Sequence, residues 1–195
     1  MGTEPSDNEL MIAYAHGNEQ AFGTLFARYS NKLGSFLRYR LSLKQAHLAE
    51  EIYQKTWLKV HSARKSFDPA HRFSTWFYAI ALNTLRDEVG SSYEKVVREE
   101  IDSSRASEES NSEDRLLVKE RFYELETLLR LLNESQRTAL LLADWEELGS
   151  KEIAEAMKIS DASARQLVSR ARLEIRRLYE QNRVTGKTVT EEKKR

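Results

Sequence analysis

The stretch SKEIAEAMKISDASARQLVSRARLEIRRLYEQ, residues 150–181, carries the strongest structural pattern in the chain. We predict a short helix from Ser150 to Met157, a turn over Lys158–Asp161 and a long helix from about Ala162 to Gln181. Two helices joined by so short a turn are typical of a helix-turn-helix unit.

The predicted long helix separates apolar from basic residues. Its apolar positions recur at three and four residues and form one narrow stripe, made of Ala164, Val168, Ala171, Ile175 and Leu178. Its other face carries five arginines, Arg165, Arg170, Arg172, Arg176 and Arg177, together with Gln166 and Ser169. Such a helix fits the major groove of DNA, where these side chains pair with bases and phosphates. The alternative is a solvated helix face, but the position on the second helix of the pair favours DNA.

The first part of the chain, residues 6–90, has the periodicity of four amphipathic helices. Ser6 and Glu9 have the spacing of a capping box at the start of the first helix. Pro69 is expected to end the third helix, and Ser74 to cap the fourth. We therefore predict a four-helix N-terminal domain.

The predicted fourth helix contains three consecutive aromatic residues, Trp76, Phe77 and Tyr78, which cannot all face inward. Exposed rings beside basic residues can stack the bases of single-stranded nucleic acid. Basic residues do lie nearby in sequence, at Arg64, Lys65, Arg72 and Arg86, and Asn83 offers an amide for a base edge. The alternative, that the rings only fill the core, stays open on composition alone.

Between the helical parts, residues 91–115 are rich in serine and acidic residues, which predicts a flexible acidic linker. Helical periodicity then resumes over residues 116–181, where Asn133 and Gln136 are expected to cap a helix. The tail, residues 182–195, is predicted to be disordered. The expected fold class is all-α, with two small helical domains joined by a linker.

Composition excludes several classes of protein. The 195 residues include 31 basic and 31 acidic side chains, so any nucleic-acid surface must be local rather than global. The absence of cysteine excludes disulfide scaffolds, thiolate zinc sites and iron–sulfur clusters. No apolar run approaches the ~20 residues of a membrane span, and no signal peptide is evident. We expect a cytoplasmic protein without membrane insertion.

Catalytic and metal-binding patterns are poorly supported. The histidines are scattered, and His47 with Glu50 or Glu51 is the nearest approach to a metal-binding pair; two ligands do not make a site. Adjacent glutamates diverge on a helix, which argues against paired acid and base groups. We expect no catalytic residues, no metal, no cofactor and no enzymatic activity, and we interpret these glutamates as a surface for a basic partner.

Four segments in order resemble the extracytoplasmic-function (ECF) group of bacterial RNA polymerase sigma factors. They are GNEQAF at 17–22, AEEIYQKTW at 49–57, FSTWFYAIALN at 73–83, and EIA at 152–154 ahead of SRAR at 169–172. The resemblance covers roughly residues 10–90 and 116–180. It implies a region 2-like domain followed by a region 4-like domain.

The resemblance implies that the first domain docks on the clamp of core RNA polymerase and captures melted bases of the promoter −10 element. The implied clamp contacts are Glu50, Glu51, Gln54 and Trp57. The implied −10 contacts are Arg72, Trp76, Tyr78 and Asn83. Lys55 stands where the family usually has an acidic residue, and Ala79 where it usually has a basic one.

The resemblance also implies that the second domain reads the −35 element as duplex DNA. The implied contacts are Ser163, Arg165, Gln166, Ser169 and Arg170. Leu167 stands where a polar or basic residue is common in the family. Free members of the family tend to be held by an anti-sigma factor, so such a partner is expected beside core polymerase and promoter DNA.

The expected function is that of an alternative sigma factor, which binds core RNA polymerase, recognises the −10 and −35 elements and promotes DNA melting. One alternative is a helix-turn-helix regulator that never joins the polymerase. The other is a helical adaptor whose arginine face meets an acidic protein.

Overall fold

The computed structural model describes residues 4–96 and 127–192, with side chains over 4–91 and 127–181. Within these ranges the secondary structure is entirely helical, and the predicted all-α class is confirmed. Among the described helices, none combines the length and apolarity needed to cross a membrane. Most of the predicted linker lies outside the described residues.

The N-terminal domain contains the four predicted α-helices. They are α1 (Asp7–Ala15), α2 (Glu19–Arg40), α3 (Ala49–Ala63) and α4 (Phe73–Val96), with 3-10 turns at Leu43–Leu48 and Arg64–Ser66. The predicted capping box at the start of α1 is confirmed: Ser6 N–H donates to Glu9 Oε2 at 2.7 Å, and Glu9 N–H donates to Ser6 Oγ at 3.3 Å.

The start of α4 differs from the sequence prediction. The helix begins at Phe73, one residue before the expected cap Ser74, and the side chain of Asn8 on α1 caps it from outside. Asn8 Oδ1 accepts from Phe73 N–H at 2.8 Å, while its Nδ2 donates to the carbonyls of His71 at 2.8 Å and Pro69 at 3.1 Å. Ser74 is buried instead. A cap supplied from 65 residues away leaves no local signal.

Replacing Asn8 by alanine is expected to lower the free energy of unfolding by about 1–2 kcal/mol, because three hydrogen bonds at the start of α4 are lost. Urea unfolding followed by circular dichroism measures this. Asn8→Asp is the control, since it keeps the acceptor for Phe73 N–H and should lose less. Equal unfolding midpoints for wild type and Asn8→Ala would contradict the assigned cap.

Aromatic rings from three helices form the centre of the N-terminal core. Phe77 is fully buried, and its ring centroid lies 5.1 Å from that of Tyr29 on α2 and 5.0 Å from that of Trp57 on α3. Phe73 packs on Tyr29 edge to face at 5.0 Å. Contacts of this kind add to the stabilisation from apolar burial, so this cluster holds α2, α3 and α4 together.

The described C-terminal domain contains a short helix α5 (127–131), then α6 (Glu134–Asp144), α7 (Ser150–Met157) and α8 (Asp161–Glu192). The predicted cap of α6 is confirmed, because Asn133 Oδ1 accepts from Gln136 N–H at 2.9 Å. The backbone of α8 continues to Glu192, into the tail predicted to be disordered. Residues 182–192 contain no proline, although Gly186 lowers helix propensity there.

The turn between α7 and α8 is short and contains one residue, Lys158, in the left-handed backbone conformation. Lys158 has φ 57° and ψ 50°, and Ile159 N–H donates to the Ala154 carbonyl at 2.9 Å, which closes the end of α7. Ser160 Oγ accepts from Ser163 N–H at 3.1 Å and caps the start of α8. The predicted helix-turn-helix geometry therefore follows from backbone hydrogen bonds.

The two domains pack directly against each other. Helix α7 lies on α4, and α6 lies near the end of α2. Tyr39 and Trp145 meet edge to face with ring centroids 4.8 Å apart. Arg137 on α6 donates to the Arg40 carbonyl at 3.2 Å. None of these contacts is marked by a local sequence pattern.

Candidate nucleic-acid interface

Helix α8 presents one buried stripe and one exposed row. Ala164, Val168 and Ala171 are buried against the domain core, as their spacing predicts. The five residues that the sequence assigns to duplex DNA are all exposed on α8: Ser163, Arg165, Gln166, Ser169 and Arg170. A helix anchored along one side can present the other to a groove.

The arginines of α8 differ in how they are held. Arg165 pairs with Asp161 one turn earlier at 2.8 Å, which orients its side chain along the helix. Arg172 pairs with Asp144 of α6 at 2.5 Å, and this hydrogen bond raises the pKa of Arg172. Arg177 pairs with Glu174 at 2.5 Å. Within the described part of the chain, the exposed side chains of Arg170 and Arg176 make no ion pair, and of these two only Arg170 belongs to the predicted row.

The three consecutive aromatics of α4 do not share one environment. Trp76 is half-buried and keeps part of its ring at the surface, whereas Phe77 is fully buried. Tyr78, also predicted as a −10 contact, does not lie at the surface: it is 0% exposed, and its ring centroid lies 5.1 Å from that of Phe36. Burial, together with the nearby carboxylate of Glu146, raises the pKa of Tyr78 far above its usual range.

The other two predicted −10 residues lie near the surface but already have partners. Arg72 is exposed, and its Nη1 lies 3.3 Å from both carboxylate oxygens of Glu152 on α7. Asn83 is half-buried, and its Oδ1 accepts from Arg86 at 2.9 Å. These residues therefore lie on one side of α4, next to α7.

The residues predicted to contact the polymerase clamp lie on α3 and differ in exposure. Glu50, Glu51 and Gln54 are exposed, and Gln54 Nε2 donates to Glu50 Oε1 at 2.7 Å. Trp57 is not exposed as a surface contact would be, because only 6% of the residue is accessible. Its centroid lies 4.8 Å from that of Phe26, which covers it from α2 and is itself 39% exposed.

Lys55, one of the departures from the family pattern, forms ion pairs with two glutamates. Its Nζ lies 2.7 Å from Glu51 on the same helix and 2.7 Å from Glu88 on α4. These hydrogen bonds raise the pKa of Lys55. The lysine thus ties α3 to α4 together with the pair Lys59–Asp87 at 2.9 Å. It occupies the side of α3 that faces α4.

Within the described residues, no group of three or more histidine or acidic side chains converges as a metal site would require. The interdomain carboxylates Glu152 and Glu155 were not predicted as interacting residues. Each meets a residue at least 80 positions away in sequence, as in Arg72–Glu152, so no local pattern marks it.

Sequence comparison matches two family models. Residues 25–92 match the family described as Sigma-70 region 2, and residues 122–175 match Sigma-70, region 4. RNA polymerase sigma-H factor of Pseudomonas aeruginosa is 26% identical over 182 residues, covering 88% of this chain and 93% of the relative. ECF RNA polymerase sigma-E factor of Escherichia coli K12 shows the same identity and coverage.

Two solved structures are similar in fold. CnrH in complex with the cytosolic domain of CnrY has a TM-score of 0.64 at 21% identity, covering 90% of this chain and 98% of that one. The sigma factor RpoE in complex with the anti-sigma factor NepR from Bartonella quintana has a TM-score of 0.65 at 20% identity, covering 82% and 96%. These similarities show that the chain shares its fold with both proteins.

Proposed function

The chain belongs to the ECF group of sigma-70-type RNA polymerase sigma factors, and from this premise we propose which of its surfaces bind core polymerase and which bind promoter DNA. The domain of residues 6–90 binds core polymerase and the −10 element, and the domain of residues 116–181 binds the −35 element. Residues 91–115 connect them. The observation that carries the proposal is the exposed row on α8, opposite a buried stripe, on the second helix of a helix-turn-helix.

On α8, we assign sequence reading to Arg170 and Gln166 and positioning to Ser163, Arg165 and Ser169. Arginine reads guanine through two hydrogen bonds, and glutamine reads adenine in the same way. Serine hydroxyls and arginine guanidinium groups donate hydrogen bonds to backbone phosphates, and such contacts fix the register of a protein on the duplex.

On α4, we assign capture of melted −10 bases to Arg72, Trp76 and Asn83. The exposed part of the Trp76 ring supports stacking, because every base has a π-face. Tyr78 is removed from this surface, since its ring is enclosed by the core.

On α3, we assign polymerase docking to Glu50, Glu51 and Gln54. Their exposure leaves two carboxylates and an amide for a basic partner surface. Lys55 pairs with Glu51, one of these two carboxylates, and with Glu88 on α4, so it partly neutralises the acidic surface.

We also propose an anti-sigma partner, because the similar structure of RpoE was solved in complex with the anti-sigma factor NepR, and that of CnrH with the cytosolic domain of CnrY. The chain itself would perform no catalysis, since sigma factors are initiation factors and the polymerase forms the bonds. A protein that works with RNA polymerase would act in the cytoplasm.

Transcription reconstituted from bacterial core polymerase, this protein and a library of promoter-like duplexes tests the function directly. We expect discrete transcript starts that share two upstream elements. Binding to DNA without added starts would favour the helix-turn-helix regulator instead. No DNA affinity, even for residues 116–181, would favour the adaptor.

Arg170→Ala is expected to lower promoter affinity by about 1–3 kcal/mol and to relax preference at one base pair of the −35 element. The reason is loss of a paired contact to one base. Binding to a set of single-base promoter variants measures this. Arg177→Ala is the control, because Arg177 is held by Glu174 outside the reading row. An equal loss of affinity for every promoter variant would contradict base reading and would show that Arg170 contacts only phosphates.

A further inference from the structure

Leu173 is an exposed leucine on α8, the helix whose surface we assign to duplex DNA. The residue is 61% exposed, whereas Leu167, six positions earlier on the same helix, packs partly against the domain core. Single apolar side chains are common on protein surfaces, so exposure by itself assigns no role to Leu173. Its position relative to the predicted DNA contacts is the distinguishing feature.

Leu173 lies on the same face of α8 as three residues assigned to the −35 element. Counted from Gln166, the positions of Ser169, Arg170 and Leu173 are i+3, i+4 and i+7, which is the spacing of one helix face. All four side chains are exposed, and the buried stripe of α8 lies on the opposite side. Leu173 therefore extends the reading row by one turn.

The charged neighbours of Leu173 are held by partners of their own. Arg172 Nη2 lies 2.5 Å from Asp144 Oδ1 on α6, and Glu174 Oε1 lies 2.5 Å from Arg177 Nη2. The leucine is left facing solvent, and apolar surface in water is unfavourable. An apolar group on a bound partner would relieve that cost.

The major groove of DNA offers one methyl group among its base edges, the 5-methyl of thymine. The other groups that distinguish the bases there are hydrogen-bond donors and acceptors, which arginine and glutamine can read. A leucine side chain has no polar atom and cannot pair with them. Contact with the thymine methyl is therefore the base contact that fits the chemistry of Leu173.

The rise of α8 limits which thymine Leu173 can reach. Leu173 lies three residues after Arg170, which is a rise of about 4.5 Å at ~1.5 Å per residue. One base-pair step of the duplex is about 3.4 Å. On a helix that follows the groove, Leu173 therefore meets a base one or two pairs from the base that Arg170 reads.

We propose that Leu173 is a further specificity-determining residue of the −35 site and selects a thymine through its 5-methyl group. This inference rests on the proposed function and refines the same site. It adds an apolar contact to the polar reading by Arg170 and Gln166, and it discriminates thymine from cytosine at one base pair. Promoter binding would bury the leucine and the methyl group against each other.

Replacement of thymine by uracil tests this contact, because it removes the methyl group and leaves the hydrogen-bonding edge of the base unchanged. Duplexes that the full chain binds together with core polymerase are selected from a random pool. Each thymine of the shared upstream element is then changed to uracil in turn. We expect one uracil, within two base pairs of the position that Arg170→Ala relaxes, to lower wild-type affinity about three- to fivefold.

Two variants assign the effect to Leu173. Leu173→Ala keeps a strong helix former and should bind the thymine and uracil duplexes with equal affinity. Leu131→Ala is the matched control, because Leu131 is a leucine of the same domain, 60% exposed and on α5 rather than α8. It should keep the wild-type preference for thymine. A merely structural effect of Leu173→Ala would weaken binding to both duplexes alike and leave that preference in place.

Three results would overturn the contact. They are no loss with uracil near the Arg170 position, the same loss in Leu173→Ala as in wild type, and an upstream element without a thymine there. Failure of the proposed function looks different, because the pool would then yield no shared upstream element, and base reading by Arg170 would fail together with that by Leu173.

Discussion

Trp57→Ala is expected to lower the free energy of unfolding by about 3–5 kcal/mol, the range for a buried large aromatic residue cut to alanine. The reason is the position of the indole between α2 and α4. Its centroid lies 4.8 Å from that of Phe26 and 5.0 Å from that of Phe77, and only 6% of the residue is exposed. Urea unfolding of the full chain measures the loss.

Two further variants separate packing from polymerase docking at this position. Trp57→Phe keeps a ring and removes an indole N–H that finds no acceptor within the described residues, so it should cost less than about 1.5 kcal/mol. Gln54→Ala, one turn away and exposed, should leave stability within about 0.5 kcal/mol and weaken binding to core polymerase. A stable Trp57→Ala variant that no longer binds polymerase would restore the contact role implied by the resemblance.

Arg137→Ala is expected to lower the free energy of unfolding by about 3 kcal/mol, because one guanidinium donates hydrogen bonds to four backbone carbonyls. Its Nε donates to Leu129 at 2.8 Å, and its Nη2 donates to Arg130 and Leu132 at 3.1 and 3.0 Å. These carbonyls lie at the end of α5. The fourth, of Arg40, ends α2 in the other domain.

The side chain of Arg137 is buried, and this burial lowers the pKa of Arg137 from its usual value. Arg137→Lys keeps the charge but not the planar fork, so a single ammonium group cannot replace the four bonds, and most of the loss should remain. Lys151→Ala removes an exposed positive charge from α7 and should change stability by less than about 0.5 kcal/mol. Equal free energies of unfolding for all three variants would show that the four carbonyls find other hydrogen-bond donors without Arg137.

Local features of the fold could be predicted from the sequence because they depend on neighbours along the chain. Capping at Ser6 and Asn133 involves atoms three residues apart, and both caps are present. The apolar stripe of α8 follows from helical periodicity, and Ala164, Val168 and Ala171 are buried as that periodicity requires. The exposed row of α8 is the complement of that stripe, so its position was predictable for the same reason.

Features that depend on distant residues were not predictable from one sequence. The cap of α4 comes from Asn8 rather than from Ser74, since the hydrogen bond to Phe73 N–H crosses 65 positions. The ring of Tyr78 could have faced either side of α4 by composition alone. The packing of Phe36 against it decided that it faces inward.

The sequence by itself therefore determined the helical class, the helix-turn-helix unit and the exposed reading row, because helix periodicity and caps act over three or four residues. Tertiary structure alone decided which aromatics stay at the surface and that Trp57 is part of the core. It also decided that Glu152 meets Arg72 across the domain boundary. Such contacts depend on which helix faces lie opposite each other, and that is a property of packing rather than of local periodicity.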